Sequence, residues 1–261
     1  MSARIEIQIE GHIACITINH PQRRNAMSYA MWCALGDALD TLFAQPQARV
    51  LVLSGAGDQA FCAGNDISEF SQWREDNEKL ARYHRASDRA MQLLQEAPIP
   101  VIAKIRGACV GGGCELALVC DFRYAAEDAR FAITPAKLGL GYKFEDVERV
   151  VAALGAGAAR RLLLSGRLHR ADEAQALGLV DGIVEPSCLD GEVLRLAAEL
   201  AANAPLTLRA LKAAIVEAGR PAAERDRERI QRLVDRCHTS LDYQEGQRAF
   251  AEKRPPRFKG L

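Results

Sequence analysis

The stretch GACVGGGCELALVCD, Gly107 to Asp121, sets three glycines directly before an apolar helical pattern that holds one carboxylate, Glu115. Glycine is unfavourable inside a helix but lets backbone approach a ligand closely. At a helix start it leaves N–H groups pointing outward, where the macrodipole favours negative charge. Glu115 follows Gly112 by three residues, nearly one turn, so the carboxylate and the Gly112 N–H share a side. One N–H to hold a developing oxyanion and one carboxylate to move a proton form a coherent pair. A first-turn position is expected to favour the ionised form of Glu115. Tight helix packing beside an exposed glutamate would produce the same text. A dinucleotide fingerprint needs GxGxxG with an acid about twenty residues later, and a P-loop needs GK[ST]; neither spacing is present.

A second loop has the same character. DQAFCAGNDISEF, Asp58 to Phe70, follows the apolar run RVLVLSG, and Ala63-Gly64-Asn65-Asp66 is another place for free backbone N–H groups. Ser68 is expected to cap the helix that follows. Two glycine loops, each just after a strand, could aim two N–H groups at one oxygen. The 8 cysteines form no CxxC pair and no zinc spacing with the 5 histidines, so no metal site is expected. Most read as reduced, buried small residues; Cys62 and Cys114, beside the glycine motifs, stay as reactive candidates without a visible base. His20 precedes Pro21 in a turn, and His84 and His169 follow no ligand pattern.

These loops need a scaffold. Strands are read at Ile5–Ile9 and Ile13–Ile18 around a turn near Gly11. SYAMWCALGDALDTLF is a helix with Ser28 as N-cap and Met31, Leu35, Ala38, Leu39 and Leu42 on one face. RVLVLSG and VIAKIRG are buried strands, residues 78–96 form a helix stopped by APIP, and DFRYAA and RFAI are short strands. ADEAQALGLVDGIV reads as helix, glycine stop and strand. Beyond about residue 145 helices dominate, with breaks at Pro205 and Pro221. Strands alternating with helices predict a layered α/β core with a helical C-terminal module. The 261 residues suffice for a substantial core and at most two domains. With 34 basic and 34 acidic residues the net charge is zero, which disfavours a nucleic-acid surface. No apolar run reaches membrane-spanning length, and the N-terminus alternates like a strand pair rather than a signal peptide. A reducing, cytoplasmic setting is expected.

HPQRRNAMS, FCAGNDISEF, GACVGGGCELALVCDFRYAAEDARF, LLLSGRLHRADEAQALGLVDGIV and RAFAEKRPPRF occur in the order of the landmarks of the crotonase (enoyl-CoA hydratase/isomerase) superfamily, which the chain resembles over nearly its whole length. The resemblance implies a crotonase-like spiral of ββα units over residues 1–200, carrying an acyl-CoA site, and a C-terminal helical trimerisation region over 201–261. It implies an acyl-CoA substrate, coenzyme A entering only as part of that substrate, and a homotrimer or dimer of trimers. It implies that a thioester enolate is held between the N–H groups of Asn65 and Gly112, with Glu115 as acid–base group. The CoA-contacting stretches match Arg24-Asn25-Ala26, the run Ala63, Gly64, Asn65, Asp66 and Ile67, and a C-terminal segment around Phe250 and Lys253.

The match has a gap. Family hydratases use a second glutamate in a PE motif before LG; here the text is RFAITPAKLGLGYKFEDV, with Pro135 or Ala136 at that place. ITPAKLGLGY and LDYQEGQRAFAEKRPPRF look closer to the methylmalonyl-CoA decarboxylase-like branch, which carries a single glutamate. Decarboxylation needs an enolate site but no base for a Cα proton, since carbon dioxide leaves instead. The resemblance makes Tyr142 a candidate group near the reacting carbon, with Thr134 lining the pocket; a packing tyrosine is the other reading. That branch often has histidine where this chain has Asn65. Glu145 and Asp146 read as a solvated helix start. Single-glutamate hydration, decarboxylation of a methylmalonyl-type acyl-CoA and non-catalytic acyl-CoA binding all remain open at this point.

Overall fold

The computed structural model describes residues 3–69 and 77–261. Two sheets carry the architecture. The larger has the order β1-β2-β3-β5-β7-β10, built from β1 (Arg4–Glu10), β2 (Ile13–Asn19), β3 (Val50–Gly55), β5 (Val101–Ile105), β7 (Phe122–Ala126) and β10 (Gly182–Val184). Its first pair is an antiparallel hairpin turning at Gly11, and every later pair is parallel. The smaller sheet has the order β4-β6-β8-β9, from β4 (Ala60–Cys62), β6 (Ala108–Val110), β8 (Arg130–Ala132) and β9 (His169–Arg170). The chain passes from large sheet to small sheet three times, at β3–β4, β5–β6 and β7–β8. The structure thus repeats a strand-strand-helix unit that no sequence repeat announces. This is the layered α/β core with a helical C-terminal module expected from the sequence.

The helices follow the apolar patterning. The first, α1 (Tyr29–Phe43), is capped by Ser28, whose side chain accepts the Met31 N–H at 3.2 Å, and it buries the five residues expected on its core face. It lies beside α2 (Asn77–Gln95). Then come α3 (Gly112–Leu118), α4 (Pro135–Leu138), α5 (Phe144–Ser165, kinked at Gly155), α6 (Ala171–Ala176) and α7 (Leu189–Ala202). The tail is α8 (Pro205–Gly219), α9 (Arg227–His238) and α10 (Leu241–Ala251). Among the described residues no helix is long and apolar enough to cross a membrane.

β3 shows why the central strands read as continuous apolar runs. Alternate side chains of a strand face opposite sides. Val50 and Val52 pack under α7 with Ile102, Val193 and Ala197, while Leu51 and Leu53 join the main core with Trp32, Phe61 and Leu116. A strand covered on both faces has no polar side to show. Buried Lys212 ties α8 to this body: its Nζ donates to Asp121 Oδ2 at 2.7 Å and to the carbonyls of Leu94 and Ile99 at 3.2 Å each.

Candidate active site

The two glycine loops meet. Both follow the step from large sheet to small sheet, β3–β4 and β5–β6, and β4 and β6 are paired in parallel, so the chain leaves them side by side. Gly64 has φ +95°, and a Cβ there would lie 2.8 Å from the Val110 carbonyl and 3.3 Å from the Gly112 nitrogen. Only glycine fits that conformation and that approach. Gly111 is the N-cap of α3 at φ +56° and Gly112 its first residue. Gly113 sits where a Cβ would fall 2.2 Å from the Cys62 carbonyl. The run of glycines therefore seats the start of α3 against β4 and the Gly64 loop.

The loop 63–66 is fixed on its other side by residues 24–27. The Ala63 N–H donates to Arg24 O at 3.0 Å, Met27 N–H to Gly64 O at 2.8 Å, and Asp66 N–H to Met27 O at 2.9 Å. Buried Asn25 braces this turn, donating to the carbonyls of Ala56 and Ala60 at 3.0 and 2.7 Å while its Oδ1 accepts the His20 N–H at 2.9 Å. The N–H groups of Asn65 and Gly112 have no acceptor among the described residues. The Asn65 side chain lies beside Gly112 and is held by α1: its Oδ1 accepts from Trp32 Nε1 at 3.1 Å, and that indole also donates to Tyr83 Oη at 2.9 Å.

Asp66, rather than Ser68, is the capping group here: its Oδ1 accepts the Ser68 N–H at 3.0 Å and the Ser68 hydroxyl at 2.7 Å, and Arg23 reaches the same oxygen at 3.2 Å. A carboxylate two residues ahead outcompetes a hydroxyl already inside the turn. Most of the helix that Ser68 was expected to cap lies outside the described residues. Ala26 is buried and Ile67 is 65% exposed. Thr134 precedes α4. Phe250 and Lys253 lie at the end of α10, and no hydrogen bond or ion pair among the described residues joins them to the loop at 63–66.

Glu115 sits in the first turn of α3 as expected, but it is 4% exposed and its pKa is raised to about 8. Burial is the main cause and Asp146 adds to it; Arg149 and Lys143 pull the other way, and Asp88 pushes up again. The expectation of an ionised Glu115 is corrected: in so dry a place desolvation outweighs the partial charge of a short helix end. Around it stands a charged group that the sequence did not reveal. Arg149 pairs with Asp146 and with Asp88 (3.1 Å), Lys143 pairs with Asp88 (2.9 Å) and Asp146 (3.6 Å), and Arg149 Nε lies 4.0 Å from Glu115 Oε2. Glu145 is exposed, as a solvated helix start should be, but Asp146, one residue on, belongs to this group. The available signal was helical spacing: Asp146 and Arg149 are i, i+3, and buried Val150, four residues after Asp146, marks the core side of the helix. Tyr142 packs against the core with its hydroxyl buried and unpartnered.

Cys62 is fully buried and its thiol is pushed up to about 12 by burial, despite the Gly64 N–H, so it is no nucleophile at neutral pH. Cys114 is buried as well. His20 hydrogen-bonds its own turn, at 3.3 Å to Ala26 O.

The state of Glu115 has a measurable consequence for stability. Its folded pKa lies above the ordinary value of 4.5, so folding retains a proton that the unfolded chain releases. Stability is therefore highest below about pH 4.5 for this group and is lost as pH rises to about 8. Glu115→Gln should gain thermal stability over wild type progressively from pH 5 to pH 8, on the order of a few kcal/mol in all. Melting curves with a constant difference over that range would contradict the assignment.

Known proteins share this arrangement of elements. The sequence model of the enoyl-CoA hydratase/isomerase family matches residues 8–261. A crystal structure of an enoyl-CoA hydratase/carnithine racemase from Magnetospirillum magneticum superposes with a TM-score of 0.93 at 37% identity, covering 100% of this chain and 97% of that one. The crotonyl-CoA hydratase of Syntrophomonas wolfei is 33% identical over 254 residues, 97% of each chain. The short-chain-enoyl-CoA hydratase of Clostridium acetobutylicum is 30% identical over 249 residues, 95% of this chain and 94% of that one. Matched from residue 8 to residue 261 in sequence and end to end in fold, the chain belongs to the enoyl-CoA hydratase/isomerase family of enzymes.

Proposed function

We propose that the protein is an enoyl-CoA hydratase-type lyase with one catalytic carboxyl. The thioester oxygen of an acyl-CoA sits between the N–H groups of Asn65 and Gly112, and Glu115 moves the proton. The observation that carries this reading is the placement of a buried glutamate three residues after one of two unfilled N–H groups on facing loops. In hydration, ionised Glu115 takes a proton from water as the water oxygen bonds Cβ. The displaced electron pair moves to the thioester oxygen, and Cα then takes the proton back from Glu115. One carboxyl serves twice, and the Tyr142 hydroxyl helps to hold the water. Because burial raises its pKa, Glu115 is mostly protonated at neutral pH, so this hydratase is slow there. Relatives named crotonyl-CoA hydratase and short-chain-enoyl-CoA hydratase support a short enoyl chain.

The raised pKa of Glu115 favours a second reading in the same site, decarboxylation of a methylmalonyl-type acyl-CoA. There the C–C bond breaks, carbon dioxide leaves, and the electron pair goes to the thioester oxygen. Protonated Glu115 then delivers its proton to Cα. The missing carboxylate at Pro135 or Ala136 is no loss to this reaction. Non-catalytic acyl-CoA binding has no observation in its favour. The deciding experiment incubates purified protein with a panel of enoyl- and malonyl-type CoA thioesters and scores, by mass spectrometry, the gain of one water or the loss of one carbon dioxide. Water addition to crotonyl-CoA supports the first reading, loss of carbon dioxide without water addition the second, and no change in any thioester sinks both.

Residues 24–26 and 63–67 hold the CoA portion, with Thr134 lining the acyl pocket. The C-terminal region assembles the protein as a trimer or dimer of trimers. Leu211, Ile215 and Phe250 are 55, 72 and 87% exposed on the helices of the tail, an apolar surface that association would cover. Phe250 and Lys253 complete the CoA contacts from the C-terminal segment. Light scattering should return a trimer or hexamer; a monomer at working concentration would contradict it. The free thiols of all eight cysteines suit a cytoplasmic setting.

A further inference from the structure

We propose that Arg149 is a positioning residue that receives the Glu115 carboxylate when it gives up its proton, its guanidinium held ready by Asp88 and Asp146. The proposal rests on the reading of Glu115 as the proton-transfer group. Three elements converge on this point: α3 brings Glu115, α5 and its lead-in bring Lys143, Asp146 and Arg149, and α2 brings His84 and Asp88.

The geometry is that of a donor waiting for a partner. Arg149 Nη2 is engaged by both aspartates, which fixes the plane of the guanidinium. Its Nε is buried and has no hydrogen-bond partner, and the facing oxygen, Glu115 Oε2, is 4.0 Å away. A buried N–H without an acceptor is costly to keep. It gains one if the Glu115 side chain moves by about 1 Å, to the roughly 2.8 Å of a charge-assisted bond. Charge balance gives the motion its trigger. Asp88 and Asp146 carry two negative charges, and Lys143 and Arg149 two positive ones. The group is neutral while Glu115 is protonated, and ionisation adds one charge that only a close cation can compensate in a dry site. Burial and Asp146 oppose that ionisation at rest, whereas Arg149 already favours it at 4.0 Å. His84, lowered by burial and by Lys143, titrates below the range in which Glu115 changes state.

The test uses Arg149→Met and Arg149→Lys, the second keeping the charge but not the Nε–H. Carbon-13 NMR of glutamate-labelled, ligand-free protein follows the Glu115 carboxyl from pH 6 to 10, assigned by its absence in Glu115→Gln. Crotonyl-CoA kinetics are run alongside. The expected result is a Glu115 pKa raised by about one unit in Arg149→Met, a tenfold change in the ionisation constant. Arg149→Lys should fall between this and wild type, with kcat lowered and KM little changed. A Glu115 titration in folded Arg149→Lys that matches wild type would overturn the proposal, and this variant decides alone if Arg149→Met does not fold. The titration needs no turnover, so it tests the coupling even if Glu115→Gln stays active, a result that would sink only the catalytic reading.

Discussion

Glu115→Gln should lower hydration of crotonyl-CoA by about 10²- to 10⁴-fold, the range ascribed to a positioned acid–base group. The amide is nearly the shape of the carboxyl and is neutral, so it suits a site that already disfavours charge, and the fold should survive. What it cannot do is take a proton from water and return it to Cα. The effect on decarboxylation of methylmalonyl-CoA should be smaller, because no base is needed to start that reaction and water can supply the late proton. Tyr142→Phe should damage whichever reaction uses its hydroxyl, since that group is buried and unpartnered in the free protein. Steady-state kinetics of the three proteins on both thioesters give the answer. Fast hydration that survives Glu115→Gln would overturn the assignment and send the search to Asp146, the acid beside it; exposed Glu145 is the weaker candidate.

The second large effect separates backbone from side chain. Gly112→Pro should lower turnover by about 10²- to 10³-fold, while Asn65→Ala should keep appreciable activity. Gly112 is the first residue of α3, where proline is tolerated because that N–H has no intrahelical partner. The substitution thus deletes the proposed oxyanion donor without breaking the helix, and loss of one such donor costs about 3–4 kcal/mol. A Cβ at Gly112 would come within 3.1 Å of Asn65 Oδ1, so the double variant with Asn65→Ala separates crowding from loss of the donor. In Asn65→Ala the backbone N–H remains, and Trp32 Nε1 keeps its bond to Tyr83 Oη. The comparison is kcat/KM with circular dichroism as a check on folding. Equal loss in folded Gly112→Pro and Asn65→Ala would show that the Asn65 side chain matters as much as the backbone.

Where the physics is local, the sequence was legible. The Ser28 cap, the buried face of α1, the glycine start of α3 and the helix breaks at Pro205 and Pro221 follow from spacing and backbone chemistry alone. So did the carboxylate three residues beyond Gly112. What escaped depends on which elements meet in space. Asp88 and Arg149 are 61 residues apart, and nothing in either segment announces that they share an ion pair. Lys143 and Asp146 looked like ordinary surface charges because half of their helix is exposed. The protonation of Glu115 was misjudged for the same reason: the helix dipole can be read from one segment, whereas burial is set by everything packed around it. Asp66 was overlooked as a cap because Ser68 fits the usual preference equally well.

The most direct measurement is the pH dependence of kcat/KM for crotonyl-CoA hydration, which reports groups of the free enzyme. Hydration needs Glu115 ionised. The rate should therefore climb about tenfold per pH unit through neutrality and level off above about pH 8, and this break should vanish in Glu115→Gln. If decarboxylation is the reaction instead, acid Glu115 is the faster proton donor, and the rate on methylmalonyl-CoA should be flat below about pH 8 and fall only modestly above it, where water supplies the late proton. A hydration profile already level from pH 5 upward, or a break that persists in Glu115→Gln, would contradict a single carboxyl held protonated at rest.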